Sequence, residues 1–506
     1  MTGHFLLYKA NTLNKKAVVI GSGFAGMSAA SFLAKSGWQV TVVEKHTLPG
    51  GRARKFEVDG FTFDMGPSWY WMPDVFERYF ASFGHKVEDY YKLIRLDPSY
   101  RVYWPDDHWD IPATYSELAA MLESVEPGAA AALDRVMAEA AYKYEIGINK
   151  LVYKPGQSVA EFLDKDLLKG VFRLDVFTSI KKHFGKHFKH PKTRELLEFP
   201  ALFLGALPED TPALYSLMNY ADIKGGTWFP EGGMFKIAEG MYKMAVELGV
   251  QFLFEHDVQS IDVSGKQAKS VTALHKGTSV VLPADVVVSG ADYHFTETKL
   301  LQPQYQSYSS SYWNSRVMAP SCLLYYVGLK KKVPGLKHHS LFFDTAFAPH
   351  AQDIYATPRW PNKPLFYVSA TSVTDASQAP ADGENLFFLI PVATGLEGDD
   401  EALRQRYFQQ IIERFEERLG TTIKDDIVYY RSFALSDFVH DYNAFRGNAY
   451  GLANTLMQTA ILKPAAKSKK IGNLYYTGQL TVPGPGVPPS LISGEVVATL
   501  INQNFR

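Results

Sequence analysis

Apolar positions along the chain recur with contrasting periods, and each period predicts an element. Lys16 to Ile20 is a short β-branched run and predicts a strand. Met27 to Ser36 is rich in Ala and Leu and predicts a helix that stops at Gly37. Trp38 to Val43 predicts a second strand, closed by Glu44. Together they span about 30 residues, the length of a right-handed βαβ crossover with a parallel strand pair. Residues 113–225 are mostly helical in pattern, most clearly over Ala129 to Ala141. Val250 to Val288 is strand-rich, aromatic residues dominate 305–370, and Arg404 to Leu419 reads as a charged helix. The strand Leu474 to Tyr476, a Pro/Gly loop through Pro489 and a helix from Ser490 close the pattern. There is no internal repeat and no low-complexity tract.

Composition narrows the function classes. A chain of 506 residues suggests about two to four folded units. Lys+Arg 52 against Asp+Glu 53 gives a net charge of -1, so bulk charge offers nothing to nucleic acid. The single cysteine, Cys322, can form neither an internal disulfide nor a multi-cysteine metal site, and it fits a reducing compartment. The apolar run Phe5 to Tyr8 is shorter than the roughly 7–15 residues of a signal peptide. No stretch reaches the roughly 18 apolar residues of a membrane span. The expectation is a cytoplasmic protein, soluble or resting on a membrane.

Gly21-Ser22-Gly23-Phe24-Ala25-Gly26 stands between the first strand and the first helix, the context in which G-x-G-x-x-G binds a dinucleotide. Gly21 permits the tight turn, Gly23 lets backbone approach a pyrophosphate, and Gly26 lets helix and strand pack closely. The helix N-terminus then offers N–H groups to phosphate. Glu44 ends the next strand, where a carboxylate accepts from ribose hydroxyls. At this point NAD and FAD both remain open.

Lys45 and the stretch through Gly50-Gly51-Arg52 follow. A second Gly pair followed by Arg resembles the signature of the amine-oxidase-like FAD superfamily. Phe63 to Pro73, Trp228 to Met234, Ala284 to Asp292, Gly447 to Leu452 and Pro483 to Pro489 resemble, more narrowly, the bacterial and fungal type of phytoene desaturase. The match covers nearly the whole chain. It implies an α/β fold: a discontinuous Rossmann-like FAD-binding domain, a mixed-sheet substrate domain and a helical membrane-facing part. The expected boundaries are 1–80, 228–298 and 466–506 for the FAD domain, 81–112 and 299–465 for the substrate domain, and 113–227 for the helical part. The resemblance places Gly66, Pro67 and Ser68 near the flavin ring, Val258 against the adenine, and Gly478, Gln479, Val487, Pro488 and Pro489 at the cofactor. Many relatives carry Asp where this chain has Gln479, so a carboxylate contact there is replaced by an amide. A second G-x-G-x-x-G is lacking, which favours electrons entering from the organic substrate.

The implied chemistry is removal of two hydrogens from a lipophilic polyene, with hydride passing to flavin and quinone or oxygen as final acceptor. Trp69, Tyr70, Trp71, Tyr325, Tyr326 and Trp360 are candidate linings for an apolar tunnel. Asp64, Glu231 and Asp292 lie in the family blocks, but none is assigned as a catalytic base. A carotenoid isomerase or saturase, an amine oxidase and a flavin-bound carrier are the competing functions.

Phe177, Ile180, Phe184 and Phe188 share one helical face within a segment crowded by Lys181, Lys182, Lys186, Lys189, Lys192 and Arg194. A basic helix with an aromatic stripe reads as a peripheral membrane-surface element. His183 and His187 are four apart, a spacing that can hold metal, but lysines crowd them and no metal is expected.

Overall fold

The computed structural model describes residues 15–158, 161, 175–201 and 207–505. The run Phe5–Tyr8 lies outside them.

The β-branched runs form a five-stranded sheet. Its order is Leu474–Tyr476, Val286–Ser289, Lys16–Ile20, Gln39–Val43 and Gln251–Leu253, with every pairing parallel. All four residues of Val286–Ser289 are buried, as expected for a parallel strand covered on both faces. The covering helix, Phe24–Lys35, starts earlier than its Ala/Leu content predicts. Gly23 holds extended backbone, φ −69° and ψ 174°, and the next residue already turns helical. The helix Val487–Asn504 also starts earlier than Ser490, because Pro488 and Pro489 fit its first turn. The two helices meet closely: Ser28 Oγ donates to Leu491 O at 2.7 Å. A Cβ on Gly494 would stand 2.4 Å from Ala25 O.

A second, seven-stranded sheet is mixed. Its order is Ile427–Phe433, Ser321–Leu329, Glu384–Val392, Phe366–Ser369, His339–Phe342, Tyr100–Tyr103 and His108–Ile111. Only the His339–Phe342 and Tyr100–Tyr103 pairing is parallel. Alternation sorts its side chains between two faces. Leu323, Tyr325, Val327, Phe342, Phe366 and Val368 pack with Ile411, Ile412 and Phe415 of the helix Glu401–Leu419. Cys322, Leu324, Leu341, Tyr367 and Leu389 face a cavity on the other side.

The helical layer includes Ala129–Ile146, Ile180–His187 and Leu217–Ile223. Lys143 is fully buried there. Its ammonium donates to Ala213 O at 3.1 Å and pairs with Asp175 at 3.1 Å.

The basic segment corrects the predicted surface stripe. Ile180, Phe184 and Phe188 are buried in the main core, whereas Phe177 precedes the helix and is 82% exposed. Helical periodicity identified a common face, and that face points inward. Lys182, Lys186 and Lys189 are exposed. Lys181 pairs with Glu209, and Lys192 with Asp106 and Asp107. Among the described residues no helix is long and apolar enough to cross a membrane.

Candidate active site

One cavity extends from the first glycine turn to the inner face of the second sheet. At its polar end Glu44 is buried and fixed. Its Oε2 accepts from Ser22 N and Ser22 Oγ, both at 2.8 Å, and its Oε1 accepts from His46 N at 2.9 Å. An ionised carboxylate has about four acceptor sites, so Glu44 keeps capacity toward the cavity it lines. Lys45, His256 and Val258 line the same end. Lys45 Nζ donates to His440 O at 3.0 Å, and burial lowers its pKa.

Two predicted residues, Ser22 and Gly26, stand behind the cavity wall rather than on it. Ser22 orients Glu44. Gly26 has no room for a side chain, since a Cβ would lie 2.1 Å from Gly21 O. Gly21, Gly23, Gly50 and Gly51 do line the cavity. Gly50 and Gly51 have φ of 106° and 56°, and a Cβ on Gly51 would approach Gly23 Cα to 3.2 Å. The two glycine turns thus form a bare backbone cradle beside the N-terminus of Phe24–Lys35.

Arg52 sits where the cradle meets the interior. Its Nη2 donates to Asn448 O at 3.1 Å, while its buried Nε has no partner among the described residues. Burial lowers the guanidinium pKa and raises that of Asp292 opposite. Asp292 accepts from Phe295 N and Phe445 N, each at 3.1 Å, so its first role is to cap local turns. Asp64 is a cap as well: it accepts from Met234 N at 2.7 Å and Phe235 N at 2.9 Å.

Gly478 and Gln479 reach the cavity from the strand Leu474–Tyr476. Gln479 Nε2 donates to Asn448 Oδ1 at 2.6 Å, an internal partner that sequence reasoning did not provide. Val487, Pro488 and Pro489 also line the cavity. Prolines lack an N–H, and Ser490 N bonds to Gly486 O at 3.0 Å. Val487 therefore supplies the first-turn N–H on offer there.

Beyond Gly66, Pro67 and Ser68 the wall becomes apolar and aromatic. Trp69 and Trp71 line it as expected, but Tyr70, Tyr325, Tyr326 and Trp360 do not. Tyr70 stacks on Phe76, with ring centroids 4.6 Å apart. Tyr325 faces the outer helix and donates to Arg404 O at 2.7 Å. Tyr326 donates to Met65 O at 2.8 Å, and Trp360 Nε1 to Glu397 O at 2.7 Å. Tyr367 lines the cavity and was not singled out by sequence, nor were His46, His256 and Asp441. No local motif marks them, because strand register and long-range packing bring them in. Away from this cavity, Glu139, Asp175 and His183 gather their ligand atoms within 4.8 Å of one another. The Lys143 ammonium already pairs with Asp175 in that group.

The site fits FAD. The glycine cradle provides the close backbone approach a pyrophosphate needs, Glu44 provides acceptors at the far end, and the buried Arg52 Nε lacks a partner among the described residues. The pattern of the flavin containing amine oxidoreductase family matches residues 24–502. The chain is 41% identical to a carotenoid 3,4-desaturase from Haloarcula japonica, covering 96% of this chain and 98% of that protein. It is 33% identical to a zeta-carotene-forming phytoene desaturase from Myxococcus xanthus, covering 96% and 94%. The fold is similar to that of an oxidoreductase from Methanosarcina mazei, with a TM-score of 0.61 and 15% identity over 95% of this chain and 99% of that one. It is also similar to putrescine oxidase, with a TM-score of 0.58 and 13% identity over 97% and 99%. The chain belongs to the flavin containing amine oxidoreductase family, in its carotenoid and phytoene desaturase branch, and is an FAD-dependent oxidoreductase.

Proposed function

We propose that this enzyme desaturates a long carotenoid polyene, phytoene or a derivative on the way to neurosporene or lycopene. The observation that carries this reading is the cavity itself, which joins a dinucleotide cradle to a water-excluding wall of Trp69, Trp71, Leu324, Leu341, Phe343 and Leu389. In this reading residues 1–80, 228–298 and 466–506 hold the cofactor, residues 81–112 and 299–465 hold the polyene, and 113–227 form the helical part. Gly21, Gly23, Gly50, Gly51 and the first helix turn face the pyrophosphate. Glu44, Lys45 and Val258 face the adenosine half, and Arg52, Gly66 to Ser68, Gly478, Gln479 and Val487 to Pro489 surround the flavin. Bound FAD supplies a two-electron hydride acceptor. The protein's part is to align an unreactive C–H with that acceptor and to keep water out.

A second reading concerns the position of the new double bond. The relative at 41% identity is named a 3,4-desaturase, whereas the phytoene desaturase stands at 33%. That difference favours a new double bond at the 3,4 position of a carotenoid. Anaerobic mixing of the FAD-loaded enzyme with each polyene in vesicles separates the two. The true substrate bleaches the flavin and yields a product with red-shifted absorption. Absence of bleaching with every carotenoid, together with peroxide release from amines, would transfer the chain to amine oxidation. The exposed lysines 182, 186 and 189 and Phe177 offer a peripheral contact with the membrane that stores such substrates, with quinone or oxygen reoxidising the flavin. Weaker liposome binding at high salt is the expected mark of that contact.

A further inference from the structure

Desaturation leaves one proton for every hydride removed, and the apolar wall has few groups able to take it. His350 lines the cavity, but both its nitrogens are engaged, Nε2 with Pro391 O at 2.8 Å and Nδ1 with Leu365 N at 3.0 Å. Asp292 accepts two backbone N–H groups and faces Arg52. His46 and His256 lie at the opposite end with Glu44.

Tyr367 is different. It lines the cavity on the strand Phe366–Ser369, and its phenol lies 2.6 Å from His339 Nδ1. The register explains the pairing. Tyr367 stands opposite Leu341, and His339 is the diagonal neighbour on the same sheet face. His339 is fully buried, and its Nε2 has no hydrogen-bond partner among the described residues. Its ring stacks on Trp69, with centroids 4.1 Å apart and planes within 12°. His338 packs beside it at 4.4 Å and reaches Thr374 Oγ1, at a half-buried position, at 2.7 Å.

We infer that Tyr367 and His339 form the proton-accepting pair of the active site, with Tyr367 Oη as the group that takes the proton from the polyene. The inference rests on the desaturase reading given above. Once hydride has left one carbon, the C–H bond of the adjacent carbon breaks. Its electron pair becomes the new π bond, and its proton goes to Tyr367 Oη. The phenol's own O–H bond breaks as its proton passes to His339 Nδ1. The products are a neutral Tyr367, a His339 imidazolium and a polyene with one more double bond, the hydride's two electrons resting on the flavin. Trp69 stabilises the new cation through its π face. Burial keeps the resting His339 imidazole neutral, and in the relay the phenol O–H donates to its Nδ1 across the 2.6 Å contact. Tyr367 is thus the catalytic residue, and His339 a positioning residue that acts through it.

The test compares the holoenzyme with Tyr367→Phe and His339→Phe in single-turnover reactions, with bound flavin measured for each. Tyr367→Phe is expected to keep its FAD and to form product roughly 100-fold more slowly, within the range for loss of general-base catalysis. The wild-type rate is expected to fall in D2O, because the phenolic proton exchanges with solvent, and the variant's residual rate is expected to lose that dependence. His339→Phe keeps a ring against Trp69 and is expected to be slowed similarly. Nitrogen-15 spectra of histidine-labelled holoenzyme are expected to show His339 Nδ1 unprotonated and Nε2 protonated. A Tyr367→Phe rate within threefold of an active wild type, or a hydrogen resident on His339 Nδ1, would overturn the relay. If both variants lose flavin, the nitrogen spectrum decides. A wild type inert to every polyene would instead sink the desaturase reading.

Discussion

The two ends of the cavity are built on opposite plans. The cofactor end is backbone: parallel strands, glycine turns and helix N-termini, with Glu44 and Arg52 as the main charged side chains. The apolar end is side chain: one face of a mixed sheet, with Trp69, Leu324, Leu341 and Tyr367 on its wall, the surface that meets the polyene in the function proposed above. Backbone recognition tolerates almost no change, because a single added atom collides. A side-chain wall tolerates change in shape but alters what it admits. Cofactor retention and substrate turnover should therefore be separable by mutation.

The largest expected effect is at Gly26. A methyl there would lie 2.1 Å from Gly21 O, so Gly26→Ala must push the helix from the strand at a cost of about 3 kcal/mol or more. Loss of the visible flavin absorbance together with a lower melting temperature is the expected result. Leu324→Trp is the converse. It should keep full flavin and slow polyene turnover about tenfold or more, through misplacement at the reacting carbon. Retained turnover would mean that the polyene lies elsewhere.

Asp222 provides a pH test of the joint between the second sheet and the helical layer. It is buried and accepts from Tyr100 Oη at 2.8 Å and Thr227 Oγ1 at 3.1 Å. Burial raises its pKa from 3.8 to about 6. A carboxyl whose folded pKa lies above the unfolded one favours folding when protonated, and that contribution is lost as pH rises from about 4 through 6. Urea midpoints should show wild type losing about 2 kcal/mol relative to Asp222→Asn across that window. Glu44→Ala is expected to weaken FAD by about 2 kcal/mol, roughly 30-fold in Kd, with the apolar end unaffected. The smallest effect, about 1 kcal/mol of stability, belongs to Tyr326→Phe, which removes one hydrogen bond to Met65 O.

Legibility in the sequence followed the same divide. The strand Lys16–Ile20, the glycine turn and Glu44 lie within about 30 consecutive residues, so short-range pattern sufficed to place them. Tyr325 and Tyr326 show the limit. Both were reasonable tunnel residues, yet the sheet sends one to the outer helix and the other to Met65 O. An all-buried strand carries no polar alternation to reveal which face is which. Phe184 and Phe188 failed similarly, since periodicity defines a stripe but not the side on which the core lies. Tyr367 and His339 required the register of two strands, which no run of neighbouring residues encodes.

The meeting of the helices Phe24–Lys35 and Val487–Asn504 has a consequence for biosynthesis. The first glycine turn is translated early, but the cavity wall is finished by Gly478 and Val487. A nascent chain on the ribosome owns the cradle hundreds of residues before it owns the opposite wall. Flavin loading is therefore expected only once Gly478 and Val487 are in place, and truncation before Val487 should abolish it, however well the early βαβ unit has formed.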